Sequence, residues 1–469
     1  GSGYTSGSNP QFRLSGEGVG QKTIPIPIPP LATGEIHGTK FFDKNQNGVW
    51  DQATEPGLGG WTINLNAIIE GIPFPLTTTT AGDGSYAFTN LPAATYTISE
   101  VLQSGWTQTG PKPVPPGTHE VVLGEGEIVT GKDFGNVKLS RTVTLLSSST
   151  ITLGQSITDT ATVSSVDSSP PTPTGTVTFY VGTSTSGPWT QVGAVKNLVS
   201  GSATSDSYTP LATGTYYFKA SYSGDSTYLP SESDPATEVL VVNKATPTVT
   251  TLLSSSSITL GQSITDTATV TGLGGSFPAP TGTVTFYVGT SVSGPWTQVG
   301  AVKPLVAGSA TSGSYTPLAA GTYYFKASYS GDSNYLSAES DPATEVLVVN
   351  KATPTVTTLL SSSTITLGQS ITDTATVTGL GGSFPVPTGT VTFYVGPSTS
   401  GPWTQVGVVK ALVAGSATSD SYTPLATGTY YFKAVYSGDS NYLSAESDPA
   451  TEVLVVNKAT PTVTTLLSS

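Results

Sequence analysis

The chain has 469 residues, of which 36% are hydrophobic and only 10% are charged, and its formal net charge at pH 7 is −13. The length allows several domains, and the acidic balance argues against nucleic-acid binding through a basic surface. Cysteine is absent, which excludes disulfides and thiolate catalysis. We find no run of about 20 apolar residues and therefore predict no membrane span in this stretch.

Residues 1–33 differ from the rest of the chain. Gly1 to Pro10 is rich in Gly and Ser, and Thr23 to Pro30 then alternates isoleucine with proline. Proline lacks the N–H that a central strand must donate, so this stretch can be extended without lying inside a sheet. It is typical of a stiff linker, or of a donor segment that docks onto a neighbouring subunit, and both readings stay open.

Residues 34–137 read as a separate β-sandwich. Alternating apolar and polar residues between turn signals such as Gly82-Asp83-Gly84 indicate half-buried strands. The predicted strands are Glu35–Phe42, Gly60–Ala67, Gly84–Asn90, Thr95–Val101, His119–Leu123 and Glu127–Phe134.

This segment resembles the B-type domain of serine–aspartate-repeat adhesins. The resemblance is carried by GTKFFDKNQNGVWD, EPGLGGW, GDGSYAFTNLPAATYTISEV, SGWTQT and DFGN, which together cover nearly the whole segment. It implies a small transthyretin-like β-sandwich that carries calcium and serves as a stalk or spacer outside the cell.

The loop from Asp43 to Asp51 predicts a structural calcium site. Oxygen ligands at positions 1, 3, 5 and 9 would come from Asp43, Asn45, Asn47 and Asp51, with Gly48 at the turn and the Val49 carbonyl at position 7. The acidic ligand at position 12 is missing, since Thr54 stands there. Either a one-residue bulge brings Glu55 in, or water replaces it; the alternative reading is a solvated turn rich in Asp and Asn.

A covalent bond is a second hypothesis for this domain. Some related pilin and adhesin sandwiches join their first and last strands by a Lys–Asn isopeptide bond, assisted by a buried acid. Lys40 in the first strand, Asn136 in the last and Glu100 stand where such a trio would be. The alternative is an exposed Lys40, an Asn136 in a turn and a Glu100 that ends a strand.

The rest of the chain is a tandem array, because Trp189, Trp296 and Trp403 recur every 107 residues within near-identical sequence. The repeats span 138–243, 244–350 and 351–457. Each predicts seven strands of an immunoglobulin-like (Ig-like) sandwich. In the second copy these are Thr248–Leu253, Ser263–Thr271, Gly282–Val288, Thr297–Val302, Ser309–Tyr315, Gly321–Ser328 and Thr344–Val349.

The repeats resemble bacterial Ig-like repeats through GTVTFYVG, GTYYFKASYSGDSNYLSAES and ATEVLVVNKATPTVT. The resemblance implies a place in an extracellular adhesin or fibre. The short join Val348–Pro354 favours a semi-rigid rod. Residues 458–469 read as the first strand of a further repeat or as a strand donated to another subunit, since one strand is not stable alone.

Each repeat offers one candidate contact at its surface. Trp189, Trp296 and Trp403 follow Ser-Gly-Pro at a hairpin, where each could stack on a sugar or a neighbouring subunit, or pack over the sandwich edge. The loop from Gly331 to Tyr335, with Glu339 and Asp341, is either a second cation site or a solvated loop.

Catalysis finds no support in this sequence. The only histidines, His37 and His119, lie outside the repeats, so no Ser-His-Asp set can form there. We therefore predict an all-β protein that is not an enzyme: one transthyretin/B-type domain and three Ig-like domains, tandem β-sandwiches in a rod.

It would be the subunit of a prokaryotic cell-surface filament, fibre or stalk, with copies of itself as partners through β-strand or lateral contacts. The alternative is a cell-surface adhesin whose array presents a ligand- or glycan-binding site.

Overall fold

The computed structural model describes residues 32–113 and 117–465. The predicted fold class is confirmed within them, since the secondary structure is β-strand apart from three short 3-10 helices. Two compact units are present. The first extends to Val242 and contains the B-type domain and most of the first repeat, while the second contains the second and third repeats. The N-terminal donor or linker segment falls almost entirely outside the described residues.

The B-type domain is a sandwich of two sheets. One sheet has the strand order β4-β1-β9-β6, with β8 beside β1, and the other has the order β3-β2-β5-β7. Ile36, Leu65, Tyr96 and Phe134 are fully buried between them. The strands are β1 Gly34–Phe42, β2 Thr62–Ile69, β3 Ile72–Thr79, β4 Ser85–Leu91, β5 Ala94–Glu100, β6 Trp106–Gly110, β7 His119–Leu123, β8 Ile128–Val129 and β9 Phe134–Lys138.

In this domain one predicted strand was wrong and two observed strands were not predicted. The predicted strand Glu127–Phe134 is interrupted at Gly131, whose φ of 72° is not a strand conformation, and the chain resumes as β9. Strands β3 and β6 were missed. Pro73 and Pro75 hide β3 from a pattern search, yet β3 lies at a sheet edge, where a missing N–H is tolerated.

The three repeats share one architecture of ten strands and a 3-10 helix. Repeat 1 contains β10 Ser140–Leu146, β11 Thr150–Thr152, β12 Asp159–Ser165, β13 Thr176–Gly182, β14 Thr190–Gln191, β15 Lys196–Asn197, β16 Ser202–Thr204, β17 Gly214–Tyr222, β18 Ser231–Glu232, the helix Pro235–Thr237 and β19 Val239–Asn243.

Repeat 2 contains β20 Thr248–Leu253, β21 Ser257–Thr259, β22 Asp266–Thr271, β23 Thr283–Gly289, β24 Thr297–Gln298, β25 Lys303–Pro304, β26 Ser309–Thr311, β27 Gly321–Tyr329, β28 Ala338–Glu339, the helix Pro342–Thr344 and β29 Val346–Asn350. Repeat 3 contains β30 Thr355–Leu360, β31 Thr364–Thr366, β32 Asp373–Thr378, β33 Thr390–Gly396, β34 Thr404–Gln405, β35 Lys410–Ala411, β36 Ser416–Thr418, β37 Gly428–Tyr436, β38 Ala445–Glu446, the helix Pro449–Thr451 and β39 Val453–Asn457.

In repeat 2 the first strand crosses between the two sheets. Strand β20 pairs with β22 in the three-stranded sheet β20-β22-β26, and after Ser254–Ser256 the chain continues as β21 in the second sheet. There β21 runs parallel to the last strand, with Ile258 opposite Val349. The prediction of seven strands was too low because strands of two or three residues, such as β21 and β28, are too short for an alternating pattern to show.

The long strands bury the side chains that alternation predicts. In β23, Val284 and Phe286 are fully buried and Val288 is nearly so. Thr283, Thr285 and Tyr287, which alternate with them, lie on the opposite face and are partly exposed. Residues 458–465, predicted as an extra first strand, belong to no strand, and 466–469 lie outside the described part of the chain.

The alternation generates a test of core packing. Replacing Phe179, Phe286 and Phe393 together by alanine should cost about 3–5 kcal/mol of unfolding free energy per repeat, because each substitution leaves a cavity between the sheets. Thermal and denaturant unfolding of the full chain measures the loss. The matched control replaces the outward-facing Thr178, Thr285 and Thr392 by alanine. Equal losses in the two variants would contradict the assignment of faces.

Candidate functional site

The main candidate site lies between the two sheets of the B-type domain. It consists of Lys40, Glu100 and Asn136, which come from three different strands. Lys40 shares the inward face of β1 with Ile36. Asn136 lies on β9, the parallel neighbour of β1, where it pairs with Phe42. Glu100 is the last residue of β5 in the opposite sheet. The first and last strands and a facing acid therefore meet at one point.

The side chains of this trio are in close contact and are buried from solvent. Lys40 Nζ lies 2.7 Å from Glu100 Oε2 and donates a hydrogen bond to Asn136 Oδ1. It also donates to the Phe134 carbonyl at 3.2 Å and stands 4.3 Å from the ring centroid of Trp61. Lys40 and Asn136 are 0% exposed, and the Glu100 side chain is 3% exposed. Water is thus excluded from the lysine and its two partners.

Burial shifts both titrations toward the neutral forms. Desolvation lowers the pKa of Lys40 to about 8, against the opposing attraction of Glu100. Desolvation also raises the pKa of Glu100, against the opposing effects of Lys40 and Asn136. Burial therefore opposes a charge on the amine and on the carboxyl alike. A neutral amine can form beside an amide carbonyl, with an acid in contact.

The loop after β1 places the predicted calcium ligands close together. Asp43 is fully buried, and its carboxylate accepts hydrogen bonds from Asn47 N at 3.2 Å and Gly48 N at 2.8 Å. The Asp51 carboxylate accepts from the Asn45 side chain at 2.6 Å. The exposed Val49 side chain is a hydrocarbon without a ligand atom, so only its backbone carbonyl could bind an ion.

Glu55 reaches the same loop, as the one-residue bulge would require. Its side chain, 3% exposed, accepts from Asp51 N at 3.0 Å and Asn45 N at 3.4 Å. The donor set is all oxygen, which fits a hard cation such as Ca²⁺. Across residues 32–113 and 117–465, however, no three acidic or histidine side chains converge on a single metal position. Here the carboxylates accept loop N–H groups instead, so the calcium site stays a prediction.

The loop and the buried trio are connected through the backbone. The Asp43 N–H donates to the Asn136 carbonyl at 3.0 Å. The first residue of the loop is therefore attached to β9, the strand that carries Asn136, so an ion that ordered the loop would also hold β1 against β9.

The tryptophans of the repeats are half-buried and packed. A Cβ built on Gly289 would lie 3.2 Å from the Trp296 ring, so the absence of a side chain lets the ring lie on β23. Lys326 Nζ stands 5.1 Å from the same ring and 5.5 Å from that of Tyr287. The same lysine pairs with Glu339 at 2.9 Å. This geometry favours packing over the sandwich edge rather than a free stacking surface.

In the acidic loop of repeat 2, the aspartate carboxylates accept hydrogen bonds from backbone N–H groups. Asp332 accepts from Thr281 N at 2.7 Å and from Tyr335 N at 2.8 Å. Asp341 caps the 3-10 helix by accepting from Ala343 N at 2.9 Å. These carboxylates fix turns, and the structure gives them no arrangement typical of a cation site.

Sequence reasoning missed one set of polar residues, a buried aspartate and glutamate in each repeat. Asp266 lies on the same inward face as Ile264 and Ala268, and Glu345 on the face of Leu347 and Val349. The alternation could have revealed both, had it been applied to acidic as well as apolar positions. Within the described residues, no helix is long and apolar enough to cross a membrane.

Comparison with known proteins identifies the domain types. A model of the bacterial Ig-like domain (group 3) matches residues 143–241, 250–349 and 357–456, and a model of the SdrD B-like domain matches residues 34–117. Both resemblances drawn from the sequence motifs are thereby confirmed. Colossin-A of Dictyostelium discoideum is 34% identical over 105 residues, which are 21% of this chain. The chain spans about 1% of the length of that curated relative.

Several solved structures are also similar to this chain. One is a tetra-tandem repeat in the extending region of a large adhesion protein, at 15% identity and a TM-score of 0.39, covering 89% of this chain and 99% of that one. Another is BcpA, the major pilin subunit of Bacillus cereus, at 11% identity and a TM-score of 0.24, covering 66% of this chain and 92% of that one.

The packed tryptophans generate a test. Replacing Trp189, Trp296 and Trp403 together by alanine should lower the unfolding free energy of each repeat by about 1–3 kcal/mol, because a half-buried ring loses its contacts. The matched change to phenylalanine should recover part of the loss. Denaturant unfolding measures both variants. Unchanged stability in the alanine variant would instead indicate rings that are free for an external ligand.

Proposed function

The chain belongs to the bacterial Ig-like domain (group 3) family, and from this premise we propose that it is a non-catalytic structural protein of the extracellular surface. It would act as the subunit of a cell-surface filament, fibre or stalk. The observation that carries the proposal is the buried contact of Lys40 with Glu100 and Asn136, which suits a permanent bond between the first and last strands of the B-type domain.

The proposed bond is an amide between two side chains. The neutral amine of Lys40 attacks Cγ of Asn136, and the Cγ–Nδ2 bond breaks. Glu100 accepts a proton from Nζ and delivers one to the departing nitrogen, which leaves as ammonia. The lowered pKa of Lys40 makes the neutral amine available near pH 8. No external oxidant or cofactor is required.

Such a bond has a mechanical consequence that follows from the strand order. The domain is entered through β1 and left through β9, and these strands are adjacent and parallel. Tension applied to the two ends would otherwise shear the hydrogen bonds between them. A covalent link from Lys40 to Asn136 carries the tension directly from one strand to the other, so the core behind it stays folded.

We also propose that the loop from Asp43 to Glu55 holds a structural calcium ion. The ligands would be Asp43, Asn45, Asn47, the Val49 carbonyl, Asp51 and Glu55. The ion would supply positive charge to three carboxylates and so order the loop that follows β1. The hydrogen bond from Asp43 N to the Asn136 carbonyl supports a joint role with the cross-link.

Partners in this proposal are further copies of the same chain. Leu145, Leu252 and Leu359 occupy equivalent positions on the first strands of the repeats, and each is about three-quarters exposed. Exposed apolar side chains that recur in every repeat support lateral contacts between chains. The low charge of the chain is compatible with such packing.

The cross-link is tested by intact mass and by pulling single molecules. We expect the purified chain to be lighter than its sequence by the mass of one ammonia, because condensation releases it. Glu100→Gln should have the full mass.

When the full chain is stretched, the wild type should lengthen in three equal steps from the repeats, and E100Q should add a fourth step from the B-type domain.

The matched control is Glu120→Gln, which changes an exposed glutamate in β7 of the same sheet. It should keep the reduced mass and the three-step pattern. An unreduced mass in the wild type would disprove the cross-link, and early extension of the B-type domain would disprove its mechanical role.

The calcium proposal is tested separately by calorimetric titration and chelation. Calcium should bind one site in the full chain and raise the unfolding temperature of the B-type domain alone, because the ligands belong to one loop. Asp43→Asn and Glu55→Gln should weaken binding at least tenfold. Asp83→Asn, in an exposed turn of the same domain, is the control. Undiminished binding in both ligand variants would place the ion elsewhere.

A further inference from the structure

Each Ig-like repeat buries one aspartate and one glutamate between its sheets. The aspartates are 1% exposed and the glutamates 4–5% exposed. The pairs are Asp159 with Glu238, Asp266 with Glu345 and Asp373 with Glu452. Acidic side chains are seldom this deeply buried without a basic partner, so the pairs require an explanation.

The pair lies where the first strand crosses from one sheet to the other. In repeat 2, Asp266 begins β22 and is opposite Leu253, the last residue of β20. Glu345 directly precedes the last strand, β29. Between them the chain passes through Ser256, whose carbonyl accepts a hydrogen bond from Val348 N at 2.9 Å. Asp266 is thus paired with the end of the entry strand, and Glu345 lies at the start of the exit strand.

Within residues 32–113 and 117–465, no basic side chain neutralises the pair. None of the four carboxyl oxygens of Asp266 and Glu345 has a hydrogen-bond partner of normal geometry in the described structure. The charged group that acts on each carboxyl is the other carboxyl, and the remaining polar groups that face them are the amides of Leu252, Leu253 and Thr267.

Two unneutralised carboxylates cannot share a dry site. Ionising both would place like charges together at low dielectric, so the pair must retain at least one proton in the folded state. A bound metal ion is a less suitable way to neutralise the pair. The backbone groups that face the carboxyls are N–H donors, which do not bind a cation, and no third acidic or histidine side chain joins a pair within the described residues.

We propose that each aspartate–glutamate pair is a proton-binding site that ties the entry strand of its repeat to the exit strand, and that loss of the proton loosens this tie. The three repeats would then be most stable in acid and would weaken together as the pH rises. This inference does not depend on the cross-link or the calcium loop, which belong to another domain.

The direction of the pH effect follows from linkage. Burial raises the pKa of Asp266 to about 6 and that of Glu345 to about 8, from ordinary values of 3.8 and 4.5. A raised folded-state pKa means that the stabilisation is complete at low pH and is lost as the pH rises through the folded-state value. The stability of repeat 2 should therefore be greatest below about pH 4, fall as the pH rises toward 8, and level off above that, where the folded and unfolded states bind the same number of protons.

The test compares thermal unfolding of the full chain across pH 5 to 9 in the presence of a chelator. The unfolding temperature of the repeats should fall by several degrees toward pH 9. The variant E238Q/E345Q/E452Q should lose the part of this dependence that lies above about pH 6, since an amide stays neutral and only the buried aspartate still titrates. The control E232Q/E339Q/E446Q removes only exposed glutamates and should keep it. Hydrogen exchange of the wild type should show β20 opening first at high pH.

A second measurement needs no variant. The infrared spectrum of the wild type at pH 7 should contain the carbonyl stretch of protonated carboxyls, which exposed carboxylates lack at that pH. Absence of this band would overturn the proposal, as would a flat pH profile in the wild type. Calcium that restores full stability at pH 9, in the wild type but not in the glutamine variant, would also overturn it, because the pair would then be a cation site.

Discussion

Desolvation of ionisable side chains between paired sheets is the constraint on which both domain types depend. A charge moved from water into such a core is costly unless it is paired or neutralised. The B-type domain neutralises Lys40 by a contact with Glu100, and repeat 2 neutralises Asp266 and Glu345 by retaining a proton. In each case a polar group stands where a hydrophobic side chain would pack at lower cost, which indicates a role beyond packing.

The two arrangements occupy the same place in their domains. Lys40 and Asn136 lie on β1 and β9, the first and last long strands of the B-type domain, which run parallel. Asp266 and Glu345 flank the point where the entry strand of repeat 2 comes to lie parallel to β29. Parallel neighbours that are pulled from opposite ends load all their hydrogen bonds together. A polar tie at this place therefore acts where tension would enter and leave the domain.

Much of this organisation could be predicted from the sequence, because alternation and repetition are local signals. The alternation of apolar and polar residues predicts the inward side of Val284 and Phe286, and the resemblance to sandwiches with an isopeptide bond indicates Lys40, Glu100 and Asn136 as a trio. Burial of the acids follows the same alternation but was not predicted, because acidic side chains are seldom buried without a basic partner. Aspartate commonly occurs in exposed turns, and it is the packing of the second sheet over Asp266 that removes water from its carboxyl. The edge strand β3 was missed for the opposite reason, since its prolines are tolerated only because one side of it is unpaired.

The two kinds of tie differ in whether they can be undone. An amide between Lys40 and Asn136 would persist in acid and in base, because no proton equilibrium holds it together. A proton between Asp266 and Glu345 exchanges with solvent once the repeat opens, and its occupancy follows the pH. Under tension at high pH the repeats would therefore yield before the B-type domain. A near-identical array then becomes useful, because repeats with the same tie weaken over the same pH range and share the extension among themselves.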